Sequence, residues 1–106
     1  MIRGDVYSYK FKEPNKRRPV LILTRPNLIP ALNAITVAEI TTTIRGNESE
    51  VLLNEADGMR ETCVVNLLNI QTVPKNKISG YITHLSAERM REVRQAVKFS
   101  LGFDSL

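Results

Sequence analysis

Cysteine, histidine and tryptophan are scarce in this sequence of 106 residues, which holds one Cys, one His and no Trp. A lone cysteine cannot close an internal disulfide bond, and one Cys with one His cannot supply the ligands of a usual zinc site. We therefore expect a protein with no resident metal ion and no cofactor.

Long hydrophobic runs are also missing. The longest apolar run covers only residues 20–23, far short of the roughly 20 apolar residues that a membrane-spanning helix needs. The first residues, MIRGD, contain neither the apolar stretch nor the small-residue cleavage site of a signal peptide. These absences predict a cytoplasmic protein that does not associate with a membrane.

Positive charge is concentrated in one segment of the chain. The whole chain has 15 Lys and Arg against 11 Asp and Glu, a net charge of +4, yet residues 10–25 alone hold six basic residues and one acidic residue. That segment carries +5, so the remainder carries −1. RNA or DNA would suit such a segment, because each phosphate contact releases condensed counterions. From charge alone, a solvated and solubilising loop explains the same pattern.

The residue pattern predicts a mainly β protein with one C-terminal helix. A chain of this length accommodates one domain, which we place at residues 1–106. Alternating apolar residues and β-branched residues predict strands at 5–11, 19–24, 34–41, 50–53, 62–68 and 70–73. After Ser86, an N-cap residue type, apolar residues recur every three or four positions until Gly102, which predicts a helix. Short strands followed by a helix favour a small, partly open antiparallel barrel.

Two residue types that often carry catalysis are present once each, and neither is well placed for it. His84 lies between Thr83 and Leu85, directly before the predicted helix cap and without a nucleophile motif beside it, which favours a structural role. Cys63 lies in an apolar run, where a cysteine is usually buried and unreactive. The sequence also has no Gly-rich phosphate loop, paired carboxylates or nucleophile elbow.

One candidate site combines the end of the basic segment, residues 17–19, with the threonine-rich end of the predicted third strand, residues 40–45. If the two strand ends meet across a small sheet, a guanidinium and hydroxyl groups would share one concavity and could hold a phosphodiester. A threonine-rich strand end beside a surface arginine explains the same residues, since threonine is a favourable strand residue. Composition and spacing alone favour this second interpretation.

Five short motifs follow one another along the chain. They are RGDVY at 3–7, RPVLIL at 18–23, VAEIT at 37–41, NIQTV at 69–73, and ITHLS at 82–86 directly before the predicted helix. Each motif is weak by itself, but the ordered set extends over nearly the whole chain. In this order the motifs resemble the MazF/PemK family of toxin endoribonucleases, also called mRNA interferases.

The resemblance implies an SH3-like barrel of the CcdB/MazF/PemK type that forms a homodimer. It implies a metal-independent endoribonuclease, the toxin of a type II toxin–antitoxin system, which cleaves single-stranded RNA at short sequences and binds an acidic, MazE-like antitoxin. The family's catalytic arginine and threonine carry over to Arg18 and Thr41. The implied reaction is attack of the RNA 2′-hydroxyl on the adjacent phosphorus, which gives a 2′,3′-cyclic phosphate and a 5′-hydroxyl.

Weaker RNA contacts are expected from Lys16, Arg17, Arg45, Asn66 and Glu13. The first loop is short and lacks the Gly-Ser-Glu stretch that is frequent in the family, so Glu13 is the acid there that could orient Arg18 or RNA. Some PemK-type members use an arginine and an aspartate on a later strand, where this chain has Asn66 and Leu68. We do not expect that catalytic route here.

Two other functions remain open from the sequence. CcdB-type proteins share the barrel and poison DNA gyrase by binding it, and a shared fold does not separate a gyrase poison from a ribonuclease. An RNA-binding regulator would keep the basic segment and lose turnover. The presence of both Arg18 and Thr41 favours cleavage.

Overall fold

In the computed structural model, which describes residues 1–12 and 16–105, six strands form one antiparallel sheet and an α-helix follows them. The elements are β1 (Asp5–Lys10), β2 (Arg17–Ile22), β3 (Ala34–Thr41), β4 (Glu50–Leu53), β5 (Cys63–Pro74), β6 (Ile78–His84) and α1 (Ala87–Leu101). In space the strands follow the order β4-β5-β3-β2-β1-β6. The expected fold was a small, partly open antiparallel barrel with a C-terminal helix, and the structure confirms a mainly β protein with an open antiparallel sheet and that helix.

The strand boundaries expected from the sequence are wrong in two places. β5 is one strand of 12 residues, where the pattern predicts two. The expected break is a bulge, in which residues 67–69 of β5 are extra between the partners of Ala38 and Glu39. The sequence pattern did not predict β6, because this edge strand has mostly exposed side chains and contains Gly80.

Two hydrophobic cores cover the two faces of the sheet. The first includes Leu21 and Ile40 and is closed by Val93 and Ala96 of α1. The second includes Val20 and, around it, the aromatic side chains of β1. Neighbouring residues of β2 thus alternate between the cores, as the period of a strand requires. Burial of an aliphatic side chain such as Leu21 or Ile40 contributes about 1.5–3 kcal/mol, and it fixes the strand ends that carry the polar site.

The ends of α1 follow the capping pattern expected from the sequence. Ser86 accepts a hydrogen bond from the backbone N–H of Arg89 at 3.1 Å. Gly102 ends the helix with a φ of 77°, and its N–H donates to the carbonyls of the last turn. Within residues 1–12 and 16–105, no helix is long and apolar enough to cross a membrane.

Candidate functional site

Arg18 and Thr41 lie opposite each other at adjoining ends of β2 and β3. Val20 of β2 pairs with Glu39 of β3, and continuing this antiparallel register by two residues brings Arg18 level with Thr41. Nη1 of Arg18 donates a hydrogen bond to Oγ1 of Thr41 at 3.3 Å. The strand register therefore joins two side chains that are 23 positions apart in the sequence.

The Thr41 hydroxyl has a second partner in the loop that follows β3. The backbone N–H of Thr43 donates to Oγ1 at 3.1 Å, so this oxygen accepts two hydrogen bonds. A hydroxyl has two acceptor lone pairs and one O–H that donates. With both lone pairs engaged, the O–H of Thr41 is the part that can bond to a bound anion.

A cavity of about 480 Å³ opens beside this pair. The first three strands and the residue after β3 supply Ser8, Arg17, Arg18, Thr41 and Thr42, and the segment between β4 and β5 supplies Met59, Arg60 and Glu61. Three arginines against one glutamate give the described walls a net positive charge. Guanidinium and hydroxyl donors around such a concavity are suited to bind a phosphodiester.

Arg17 is the second residue of the basic segment that reaches the cavity. Its Nη1 donates to Oγ of Ser8 at 3.2 Å, and the residue is exposed. Lys16 is exposed too but does not line the cavity, and its carbonyl accepts the N–H of Phe11 at 2.8 Å. Arg17 and Arg18 thus both line the cavity, while Lys16 lies outside the walls.

Arg45 and Asn66, which were also predicted to contact RNA, are not part of these walls. Arg45 is exposed, and its backbone N–H donates to the carboxylate oxygens of Glu50 at 3.1 and 3.2 Å. Oδ1 of Asn66 accepts the N–H of Leu68 at 3.0 Å, so this side chain supports the bulge in β5. Glu13 lies outside the residues that the structure describes.

Glu39 is a partner of Arg18 that the sequence reasoning missed. Its Oε1 lies 3.7 Å from Nε of Arg18, and its Oε2 accepts a hydrogen bond from Nδ2 of Asn69 at 2.9 Å. Oδ1 of Asn69 accepts in turn from Nε2 of Gln71 at 2.9 Å. The period of a strand could have revealed Glu39, because positions 39 and 41 of β3 share one face.

The segment between β4 and β5 forms a wall that the sequence did not indicate. Asn54 caps a short 3₁₀ turn, Glu55–Asp57, and Gly58 follows it with a φ of 93°. A Cβ atom at Gly58 would overlap with Oγ1 of Thr83, so glycine is required both by its backbone angle and by this close approach. The turn directs residues 59–61 to the cavity.

Asp57 attaches this segment to the helix. Its Oδ1 accepts from Nε of Arg89 at 3.0 Å, and its Oδ2 accepts from the N–H of Asn54 at 2.9 Å. Burial of the carboxyl opposes its ionisation, but these hydrogen bonds and the charge of Arg89 outweigh burial and lower the pKa of Asp57. The carbonyl of Asp57 also accepts the O–H of Thr83 at 3.0 Å. The cavity wall is thus attached to both α1 and β6.

His84 and Cys63 have surroundings that suit structural roles. Nδ1 of His84 lies 2.8 Å from Oδ1 of Asp5, away from the cavity walls. Cys63 borders the cavity but is buried, and this burial, together with the charges of Glu61 and Asp57, raises the pKa of its thiol to about 11. A thiol with this pKa stays protonated at neutral pH and is a poor nucleophile. No group of three or more His, Cys, Asp or Glu in the described part of the chain could hold a metal ion.

The fold and the cavity define a small β protein that presents guanidinium and hydroxyl donors to a polyanion. The model of one protein family, described as "PemK-like, MazF-like toxin of type II toxin-antitoxin system", matches residues 2–101. The chain belongs to this family of toxins.

Curated relatives resemble the chain over most of its length. Endoribonuclease MazF3 of Mycobacterium tuberculosis is 38% identical over 90 residues, which cover 85% of this chain and 87% of the relative. Probable endoribonuclease MazF2 of the same species is 38% identical over 103 residues, which cover 96% of this chain and 99% of the relative. Each alignment covers at least 85% of this chain and at least 87% of the relative, so both include the strands that carry Arg18 and Thr41.

Solved structures support the same fold. The Mycobacterium tuberculosis toxin MazF-mt6 superimposes with a TM-score of 0.85 at 34% identity, covering 92% of this chain and 96% of that one. A mycobacterial endoribonuclease in complex with its cognate antitoxin gives a TM-score of 0.87 at 24% identity, covering 96% of this chain and 95% of that one. The second comparison concerns the fold alone.

Proposed function

We propose that this protein is the endoribonuclease of a type II toxin–antitoxin system and cleaves single-stranded RNA at short specific sequences. In this proposal residues 1–106 form one toxin domain, which acts in the cytoplasm as a homodimer without a metal ion. A MazE-like antitoxin with an acidic segment inhibits it, because a groove that attracts phosphates also attracts carboxylates. The proposal is carried by the hydrogen bond between Arg18 and Thr41 at the wall of a positively charged cavity.

The proposed reaction is an intramolecular attack within the RNA. The 2′-oxygen forms a bond to the adjacent phosphorus and loses its proton to a base, while the bond to the 5′-oxygen breaks and that oxygen takes up a proton. Negative charge builds up on the phosphoryl oxygens in the transition state. An arginine side chain stays protonated in proteins, so we assign Arg18 to stabilise this charge rather than to abstract the proton. The O–H of Thr41 donates to the same group of oxygens.

The other basic residues contribute mainly to RNA affinity in this proposal. Arg17 borders the cavity and contacts RNA next to the scissile phosphate. Exposed Lys16 and Arg45 add positive potential around the cavity, whereas Asn66 and Glu13 make at most auxiliary contacts. Charge at a distance raises the local concentration of RNA and the association rate.

Cleavage of a labelled single-stranded RNA by the purified protein in excess EDTA tests the proposal. We expect cleavage to continue and the products to end in a 2′,3′-cyclic phosphate and a 5′-hydroxyl. A matched RNA with a 2′-deoxy substitution at the scissile nucleotide should bind but remain intact, since it lacks the attacking hydroxyl. Complete loss of activity with EDTA, or normal cleavage of the deoxy substrate, would contradict the proposed chemistry.

A further inference from the structure

The carboxylate of Glu39 lies behind Arg18 as seen from the cavity. Glu39 is not among the residues that line the cavity, and its side chain is only 17% exposed. Each of its oxygens has a different partner, Nε of Arg18 at 3.7 Å and Nδ2 of Asn69 at 2.9 Å. Glu39 is therefore placed to contact Arg18 rather than a substrate in the cavity.

The guanidinium of Arg18 has a hydrogen-bond partner at one nitrogen and an ion-pair partner at another. Nη1 bonds to Thr41 on the next strand, and Nε faces Glu39. A guanidinium is planar, so a hydrogen bond at one nitrogen and an ion pair at another restrict both its position and the direction of the N–H groups that remain. Such preorganisation is what stabilisation of a developing phosphoryl charge requires, because donors that must reorient contribute less.

Asn69 holds the carboxylate in the orientation that Arg18 needs. Nδ2 of Asn69 donates to Oε2 of Glu39, and Oδ1 of Asn69 accepts from Gln71. Asn69 ends the bulged part of β5, where residues 67–69 are extra in the pairing with β3. The bulge thus redirects an amide side chain towards Glu39, which is a frequent use of bulges near functional sites.

A purely structural role for Glu39 explains less of this arrangement. β3 and β5 are paired along eight residues of β3, and the neutral contact between Oγ1 of Thr36 and Oγ1 of Thr72 at 3.1 Å already links the same two strands. A half-buried carboxylate costs desolvation free energy that a hydroxyl or amide would avoid. It would also repel an RNA phosphate nearby. An acid at this position is therefore explained by what it does to Arg18.

We propose that Glu39, oriented by Asn69, is a positioning residue that fixes the Arg18 guanidinium for transition-state stabilisation. This inference rests on the proposed ribonuclease function. It predicts opposite effects on catalysis and on affinity, since removing the charge of Glu39 loosens Arg18 but also removes an anion that repels RNA. An ordinary stabilising residue would not separate these two quantities.

Glu39→Gln provides the direct test, because it keeps the shape of the side chain and removes its charge. At saturating RNA we expect the single-turnover cleavage rate to fall about tenfold to a hundredfold. The Kd for the uncleavable 2′-deoxy RNA should stay equal or become lower. Thr72→Val is the matched control, since it removes a polar contact between the same strands away from Arg18, and it should change neither quantity. A rate for Glu39→Gln within twofold of wild type would overturn the proposal.

The double variant Arg18→Ala/Glu39→Gln tests whether Glu39 acts through Arg18. If it does, adding Glu39→Gln to Arg18→Ala should cause no further loss of rate, whereas an equal fold loss in both backgrounds would overturn the proposal. If thermal melts show that Glu39→Gln does not fold, Asn69→Ala replaces it as the test. Asn69→Ala keeps the charges of Arg18 and Glu39 and should lower the cleavage rate by a smaller factor. A wild-type rate for Arg18→Ala alone would instead overturn the proposed catalytic site, which separates the two failures.

Discussion

The side chains of Arg18 and Thr41 are joined by a hydrogen bond of 3.3 Å across the adjoining ends of β2 and β3. Each lies next to a strand segment whose apolar side chains are fully buried, such as Leu21 and Ile40. Rigid strands hold the donors of a site more accurately than loops do. The pair is therefore preorganised by the sheet itself.

Replacement of Arg18 should abolish most turnover and change RNA affinity little. Arg18→Ala removes one preorganised donor, which costs about 3–4 kcal/mol of transition-state stabilisation, roughly a hundredfold to a thousandfold in rate. Arg18→Lys should restore this only in part, since an ammonium keeps the charge but not the planar fork. Single-turnover cleavage and binding of uncleavable RNA measure the two effects. A near wild-type rate for Arg18→Ala would refute the assignment of this site.

Lys16→Ala should have the reverse effect and is the charge-matched control. Lys16 is exposed and lies outside the cavity walls, so its loss should weaken RNA binding and leave the rate at saturating RNA unchanged. The weakening should diminish as salt is added, because the interaction is electrostatic. If Lys16→Ala lowered the saturated rate as much as Arg18→Ala, catalysis would depend on total charge rather than on Arg18.

Thr41→Val tests the role of the Thr41 hydroxyl and keeps a side chain of similar shape at the end of β3. Valine keeps the β-branched shape, so the register of β2 and β3 should persist. The substitution removes an acceptor of Arg18 and of the Thr43 N–H, and with it the O–H that would bond to the phosphate. We expect a lower single-turnover rate with a smaller change in Kd. Serine at position 41 should recover most of the rate, and failure of this rescue would count against a role for the hydroxyl.

The sequence was a good guide to the fold, and it singled out two candidate residues that the fold brings together. The period-two and β-branched patterns located five of the six strands, and the caps Ser86 and Gly102 located both ends of α1. The resemblance to the family implied that Arg18 and Thr41 act together, and a hydrogen bond joins their side chains. The local residue pattern was enough to predict the elements whose apolar residues follow the regular period of a strand or a helix.

The features that the sequence did not indicate depend on long-range pairing. Glu39 contacts Arg18 and Asn69 only because β3 lies between β2 and β5 in the sheet. The wall formed by residues 59–61 depends on the attachment of Asp57 to Arg89 in the distant helix. The bulge in β5 also hides its continuity, since extra residues break the alternation that marks a strand.

We expect the protein to form a homodimer in solution. Several large hydrophobic side chains are exposed, among them Leu68, Tyr81 and Phe103, and apolar surface of this kind is commonly buried by association. Size-exclusion chromatography with light scattering at micromolar concentration should give a mass of about twice 12.0 kDa. A monomer at every concentration tested would contradict this part of the proposed function.

The carboxylate of Asp57 should make stability depend on pH in the acid range. Because the folded state lowers the pKa of this group, its ionised form adds stability that is fully present above the unfolded pKa of about 4 and is lost as pH falls through the lower folded pKa. Asp57→Asn should lower the free energy of unfolding by about 1–3 kcal/mol at pH 7, since it leaves Arg89 without its charged partner. The difference from wild type should shrink below pH 4.

Urea unfolding of wild type and of Asp57→Asn between pH 2 and pH 7 measures how their stability depends on pH, with Glu92→Gln as the control. Glu92 contacts the same Arg89, with Oε2 at 3.1 Å from Nη1, but its side chain is 43% exposed, and an exposed pair contributes at most about 1 kcal/mol. Glu92→Gln should therefore leave the pH profile close to that of wild type. A constant difference between wild type and Asp57→Asn across the whole pH range would show that the carboxylate stabilises the fold by shape rather than by charge.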